Sequence, residues 1–421
     1  MMELYDFQKE ALEKVKGHKQ VAFYLDMGLG KTFVGAEQMK RFGNPLNILV
    51  CQKSKVNDWM EHFLTHYPEY ATFNGTETLN GLTVEGRKRV VVINYDLLIR
   101  RPVLLDEFPD RTTLILDESS LIQNYQTKRW KTVRKINYDN LILLSGTPVS
   151  GKYEKLYTQI QLLNPNFRMK MSEFWDRYVI YDTINVGYPI KIARSYKNVD
   201  DLKQRWLSKN VVWKKTEEVL ELPEKRFIDV FAKSEPQYKR FIKSKVIEID
   251  GETVTADNPL TLLSYARQIC SWNAEKMEKF REILTGTEDR VVVFYNFKKE
   301  LESLKAIALK VGKTISTVNG EEKNVGAYEN CENSVTFVQY QAGSMGLNLQ
   351  KANKIIFASP TLSCDMYMQA QKRIHRIGQL NRCTYYRFMT EKTVEEKIYR
   401  ALERGEDYTE KLFIAEVPDG T

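Results

Sequence analysis

The sequence predicts an α/β protein built from two parallel-sheet lobes, with helical and hairpin insertions between them. Three observations lead there. Short apolar runs alternate with helical patterns in the first third, the same alternation returns near the end, and a basic, aromatic-rich stretch divides the two. At 421 residues the chain is too long for one ordinary core and suits two domains with insertions.

The first lobe is expected over residues 1–160. Its runs Asn47-Ile-Leu-Val-Cys51, Arg89-Val-Val-Val-Ile93, Thr113-Leu-Ile-Leu116 and Leu141-Ile-Leu-Leu144 read as strands buried on both faces, the signature of a parallel sheet covered by helices. Residues 161–222 form a basic insertion rich in Lys, Arg, Trp and Tyr, with a hairpin expected around Asn185-Val-Gly-Tyr188. Residues 223–275 hold a linker at Leu222-Pro223 and a second insertion. That insertion carries a clearer hairpin, Val246 to Thr255, turning at Asp250-Gly251. The second lobe spans 276–421, with strand runs Arg290-Val-Val-Val-Phe-Tyr295, Ser334-Val-Thr-Phe-Val338 and Lys354-Ile-Ile-Phe-Ala358. No repeat of solenoid period and no low-complexity tract interrupts this plan.

Composition narrows the function classes. A net charge of +8 fits a polyanionic partner, with nucleic acid a mild preference. The five cysteines are odd in number, far apart, and include no Cys-x-x-Cys, which argues against a disulfide framework or zinc cluster and for a reducing compartment. His62 and His66 sit four apart on an expected helix, but no third ligand accompanies them, so no metal is expected there. Met-Met-Glu-Leu-Tyr-Asp lacks the apolar core of a leader, and no apolar run reaches membrane-spanning length. No membrane partner is expected.

Three motifs carry chemistry. Asp26-Met-Gly-Leu-Gly-Lys-Thr32 has the parts of a phosphate loop: Gly28 and Gly30 for close backbone approach, Lys31 for the outer phosphates, and the Thr32 hydroxyl for magnesium. The strict pattern places glycine where this chain has Leu25, so taken alone the match is incomplete. Leu114-Ile-Leu-Asp-Glu118 is an apolar strand delivering two carboxylates to the carboxyl edge of a sheet. Asp117 is expected to hold magnesium, and Glu118 to orient and deprotonate an attacking water. In Gln369-Ala-Gln-Lys-Arg-Ile-His-Arg-Ile-Gly-Gln379, Arg373 and Arg376 are three apart, which places both guanidinium groups on one face of a helix. A solvated basic face is the commoner fate of such a pair; the two upstream motifs argue for a nucleotide cleaved between two lobes. Leu144-Ser-Gly-Thr-Pro148 ends another strand. Its Ser145 and Thr147 hydroxyls could couple the carboxylates to the other lobe, and a plain turn accounts for them equally well.

In order, Phe7-Gln8, Asp26–Thr32, Asp117–Ser120, Ser145–Pro148, Gly343-Ser-Met-Gly-Leu-Asn-Leu349 and Gln369–Gln379 resemble the motifs of superfamily 2 helicases. Within these, the wording Met-Gly-Leu-Gly-Lys-Thr, Gly-Leu-Asn-Leu and Arg-Ile-His-Arg-Ile-Gly-Gln is similar to that of the SWI/SNF-type ATPases. The resemblance spans nearly the whole chain and implies two RecA-like lobes. It implies ATP and magnesium as cofactors, with Gln8 reading the adenine edge, Tyr5 or Phe7 packing on the base, Gly346 near the nucleotide, and Gln369 coupling the sites. Arg373 and Arg376 would reach the γ-phosphate from the second lobe.

The implied activity is DNA-stimulated ATP hydrolysis driving translocation on double-stranded or branched DNA, with contacts mainly to phosphates. A strand-separating or annealing helicase is the alternative, disfavoured because Gln379 ends the last motif. Candidate DNA-binding residues are Lys53 and Ser54, Asn94 and Tyr95, Asn296 and Phe297, and Gln341, with Arg194, Lys197, Arg205, Lys214 and Lys215 in the basic insertion. Ser119 and Ser120 replace the usual Ala-His after the acidic pair, so communication through that histidine must be rerouted. Lys214-Lys215 stands where paired arginines are frequent. The expectation is a minimal, monomeric engine like prokaryotic or phage members, cytoplasmic there or nuclear in a eukaryote, with replication or repair proteins as candidate partners.

Overall fold

The computed structural model describes residues 3–75, 86–100, 112–149, 152–185, 189–249, 252–342, 347–409 and 412–413. The chain divides into two compact units, Met1–Leu220 and Glu221–Thr421.

The first unit contains β1 (Gln20–Leu25), β2 (Leu46–Cys51), β3 (Ala71–Asn74), β4 (Arg89–Asn94), β5 (Thr112–Leu116), β6 (Asn140–Ser145), β7 (Val179–Asn185), β8 (Pro189–Tyr196) and β9 (Val211–Lys214). Seven of these form one sheet in the order β3-β4-β2-β5-β6-β1-β9, and every pairing within it is parallel. All six residues of β2 and all five of β5 are buried, so both faces are covered, as the unbroken apolar runs require. The helix Lys31–Phe42 packs closely on β6: a Cβ on Gly35 would lie 2.7 Å from Leu144 Cδ1. It ends on Gly43, whose φ of 69° allows the left-handed cap that returns its N–H to the Met39 carbonyl.

The basic segment after residue 160 is built into this unit. Its strand β9 pairs with β1, and Phe174, Tyr178, Leu202, Leu207 and Val211 join the first unit's core. β7 and β8 form the expected antiparallel ribbon. The turn residues 186–188 lie outside the described residues.

The second unit contains β10 (Lys225–Ala232), β11 (Val246–Ile249), β12 (Glu252–Thr255), β13 (Val291–Tyr295), β14 (Thr314–Val318), β15 (Lys323–Asn324), β16 (Ser334–Gln339), β17 (Lys354–Phe357) and β18 (Cys383–Thr390). Its sheet runs β10-β18-β17-β13-β16-β14-β15, parallel except for β14 with β15. Along β13, Val292 and Phe294 enter one core, while Val291, Val293 and Tyr295 enter the other. This is double-sided burial read residue by residue. β10 makes the segment after Pro223 an edge strand of this sheet, so the second unit's structure begins well before residue 276. β11 and β12 pair antiparallel from Ile249 against Glu252; the Asp250-Gly251 turn lies outside the described residues. A buried ion pair, Lys276 Nζ to Glu395 Oε2 at 2.7 Å, ties the helix Ala274–Thr285 to the helix Val394–Glu403. Among the described residues no helix is long and apolar enough to cross a membrane.

Candidate functional site

In the first unit, β5, β6 and β1 are consecutive neighbours in the sheet. Parallel strands put all their carboxyl ends on one edge, so the segments after them converge: Asp26–Thr32, Asp117–Ser120 and Ser145–Pro148. The glycine loop and the Ser145–Pro148 turn are in direct contact. A Cβ on Gly146 would stand 3.0 Å from Lys31 Nζ and 3.2 Å from Met27 Cγ.

The glycine loop is shaped by backbone conformations that favour glycine. Gly28 and Gly30 have φ of 87° and 73°, and Gly30 caps the helix that opens at Lys31. Lys31 Nζ donates to the Leu25 carbonyl at 3.0 Å, which holds the ammonium over the loop. Thr32 lies in the first turn of that helix. These features suit an anion at the helix N-terminus. Gln8 is 3% exposed: its Nε2 donates to the Leu29 carbonyl and its Oε1 accepts from the Tyr5 N–H, both at 3.0 Å. Its amide thus ties the first helix to the loop. Tyr5 and Phe7 stack with centroids 5.9 Å apart. Asp26 accepts from both the N–H and the hydroxyl of Thr216 at 3.1 Å.

The acidic pair is strongly held. Asp117 Oδ2 accepts from Trp59 Nε1 at 2.8 Å, and its Oδ1 accepts from the Glu118 N–H at 3.1 Å. Glu118 adopts φ 50° and ψ 57°, a left-handed conformation rare for a non-glycine residue. Ser145 is fully buried and its Oγ accepts from the Thr147 N–H, so locally these two close their own turn.

The DNA-contact candidates fare unevenly. Lys53 is exposed in the turn Lys53–Lys55, which also holds Ser54. Asn94 Oδ1 accepts from the Leu97 N–H. Tyr95 requires a correction: it is 2% exposed, and its hydroxyl donates to the Asp117 carbonyl at 3.0 Å. Burial, with Asp117 nearby, raises its pKa well above the ordinary value. Its ring supports the acidic strand end from inside and does not present a DNA-facing surface. In the second unit, Asn296 Nδ2 donates to Ser359 Oγ at 2.8 Å and to the Pro360 carbonyl at 3.1 Å, and Arg267 lies over the Phe297 ring. Gln341 is exposed, and Gln369 is half-buried on the helix Cys364–Gln371. Gly346 lies outside the described residues.

Arg373 and Arg376 also need a correction. They follow that helix in a run of turns. The reason is visible in the backbone: the Arg373 carbonyl accepts from the Leu349 N–H, and Gly378 turns with φ 91°. The two guanidinium groups still come together, because each Nη1 donates to the Leu347 carbonyl, at 3.5 and 3.4 Å. Burial lowers the Arg376 pKa from its usual value. Between them, His375 Nε2 lies 2.8 Å from the Pro223 carbonyl. His62 and His66 have ring centroids 5.1 Å apart, and no group of three or more potential metal ligands gathers among the described residues.

Sequence reasoning missed Trp59, Tyr95's inward role, Thr216, His375 and Gln159. Gln159 had no distinctive local signal, because its helix Tyr157–Leu163 also carries Thr158 and a second amide, Gln161.

Fold and loop geometry together define a phosphate-loop α/β protein with two parallel-sheet units. The SNF2-related domain family matches residues 19–275, and the helicase conserved C-terminal domain matches residues 275–378. The first match covers more than half of the chain, which therefore belongs to the SNF2-related family. Among curated relatives, the putative ATP-dependent helicase/translocase YwqA of Bacillus subtilis is 26% identical, over 93% of this chain and 46% of its own length. The mouse SWI/SNF-related matrix-associated actin-dependent regulator of chromatin subfamily A member 1 is 25% identical, over 90% of this chain and 40% of its own. This chain thus spans less than half the length of these relatives. A solved SWI2/SNF2 ATPase core of Sulfolobus solfataricus in complex with dsDNA is 20% identical, with a TM-score of 0.47 over 100% of this chain and 94% of that one.

Proposed function

We propose that the chain is an ATP-dependent motor that translocates on double-stranded DNA. The observation that carries this reading is the convergence of Asp26–Thr32, Asp117–Glu118 and Ser145–Pro148 on one sheet edge, in a chain of the SNF2-related family. One relative named a helicase/translocase and another named a regulator of chromatin support a DNA substrate.

In this reading Gly28, Gly30 and Lys31 bind the phosphates of ATP. Thr32 and Asp117 offer hard oxygen ligands suited to magnesium, whose charge would offset that of the phosphate oxygens. Glu118 orients the attacking water and accepts its proton. Arg373 and Arg376 supply positive charge to the transferring phosphoryl group, a contribution worth roughly 10³–10⁵ in rate. Lys53, Ser54, Asn94, Asn296, Phe297 and Gln341 are the proposed DNA contacts. Binding through phosphates makes affinity fall steeply with salt and depend little on sequence.

The test is displacement of a third strand from a DNA triplex with ATP, beside a forked-duplex unwinding assay. Triplex displacement without unwinding, lost in Lys31→Ala, is expected. Unwinding of the fork would favour the helicase alternative, and the absence of both activities would overturn the motor reading.

A further inference from the structure

Glu118 occupies a left-handed conformation that L residues avoid, because the Cβ crowds the following carbonyl oxygen. The next residue, Ser119, is fully buried and donates from Oγ to Gln159 Oε1 at 2.8 Å. Gln159 is itself fully buried, and the same Oε1 accepts from the Tyr24 hydroxyl at 2.9 Å. Its Nε2 donates to the Pro148 carbonyl at 3.2 Å, and Gln123 Nε2 fills that carbonyl's other side at 2.8 Å. The orientation of the amide is fixed by its partners, since a flipped amide would set its oxygen against the Pro148 carbonyl.

One side chain therefore joins the three converging segments. Tyr24 is the last residue but one of β1, just ahead of the glycine loop, Ser119 directly follows Glu118, and Pro148 closes Ser145–Pro148. All of these contacts lie inside the first unit. Simple satisfaction of two buried hydroxyls would not require the amide to reach Pro148 as well.

We propose that Gln159 is a positioning residue for hydrolysis: through Ser119 it holds Glu118 in its left-handed conformation and registers it against the Ser145–Pro148 turn. This rests on the reading of Glu118 as the water-orienting base. Without the Ser119 anchor the backbone can relax to the right-handed region, which re-aims the Glu118 carboxylate while leaving the glycine loop in place.

The test measures DNA-stimulated phosphate release and fluorescent-nucleotide binding on the full chain for wild type, Ser119→Ala, Gln159→Met and the double variant. Ser119→Ala and Gln159→Met are expected to lower kcat roughly 10- to 100-fold. Nucleotide Kd should stay within about twofold, and the double variant should be no slower than the slower single one. Ser119→Ala removes a single oxygen, so it keeps the test decisive even if Gln159→Met folds poorly. An active wild type whose kcat survives Ser119→Ala, or whose Kd rises in step with the loss of kcat, overturns this inference alone. A wild type that releases no phosphate overturns the reading of Glu118 and this inference with it.

Discussion

Trp59 Nε1 donates to Asp117 Oδ2 at 2.8 Å, and the two side chains are 3% and 9% exposed. A buried carboxylate needs such partners, because leaving it unpaired costs more than the bond contributes. Trp59→Phe keeps an aromatic ring at this buried position while removing the donor and part of the indole's packing. It is expected to cost about 1.5–3 kcal/mol in urea unfolding. It should also raise the magnesium concentration needed for half-maximal hydrolysis, which a titration of the rate would reveal.

Gly30 is fixed by two independent constraints: its φ is 73°, and a Cβ there would sit 2.4 Å from Gln8 Nε2. Gly30→Ala should therefore displace Gln8 from the Leu29 carbonyl and strain the loop. Fluorescent-nucleotide titration is expected to show affinity weakened by at least about tenfold, the equivalent of roughly 1.4 kcal/mol. Adding Gln8→Ala should recover only the part due to the clash, because the backbone strain remains.

Much of this was legible in the sequence. The apolar stretch 90–93 inside Arg89–Asn94 and the strand Val291–Tyr295 stand out as unbroken apolar runs because both of their faces are covered. β9 is only four residues long, and β10 shows a mixed burial pattern with its Phe227 and Phe231 exposed. Their places in the two sheets come from distant partners, β1 and β18, which no local pattern encodes. The arginine spacing found a true pair, but a helix was the wrong carrier. A backbone bond to Leu349, 24 residues upstream of Arg373 (373 − 349), diverts the chain into turns. Tyr95 looked like a polar loop residue because nothing local announces that its hydroxyl serves the Asp117 carbonyl.

His62 packs among Phe33, Trp59, Phe63, Tyr67 and His66. Burial first, and the neighbouring His66 second, lower its pKa from 6.5 to about 4. The unfolded chain takes up this proton near pH 6.5 and the folded chain only near 4, so the unfolded state binds more protons in that window. Stability should fall as pH drops from 6.5 to about 4, with no contribution from this group above 6.5. Melting temperatures across that range should show a shallower decline in His62→Phe than in wild type.

The Lys276–Glu395 pair is 1% and 0% exposed, and Glu395 also accepts from the Thr390 N–H. Lys276→Met leaves the carboxylate buried beside an apolar side chain and should cost about 3–5 kcal/mol. The double variant Lys276→Met with Glu395→Gln should cost much less, since no charge is stranded. Denaturant midpoints of the two variants, compared at equal slope, would check this.

The central claim is that DNA governs hydrolysis at the Lys31, Asp117 and Glu118 site, with Arg373 and Arg376 required. The most direct measurement is phosphate release by the wild-type chain with and without duplex DNA, repeated for Arg373→Ala and Arg376→Ala. The account predicts hydrolysis strongly stimulated by duplex in the wild type, and nucleotide binding without that stimulation in either arginine variant. Equal rates with and without DNA, or stimulation surviving in both variants, would contradict it.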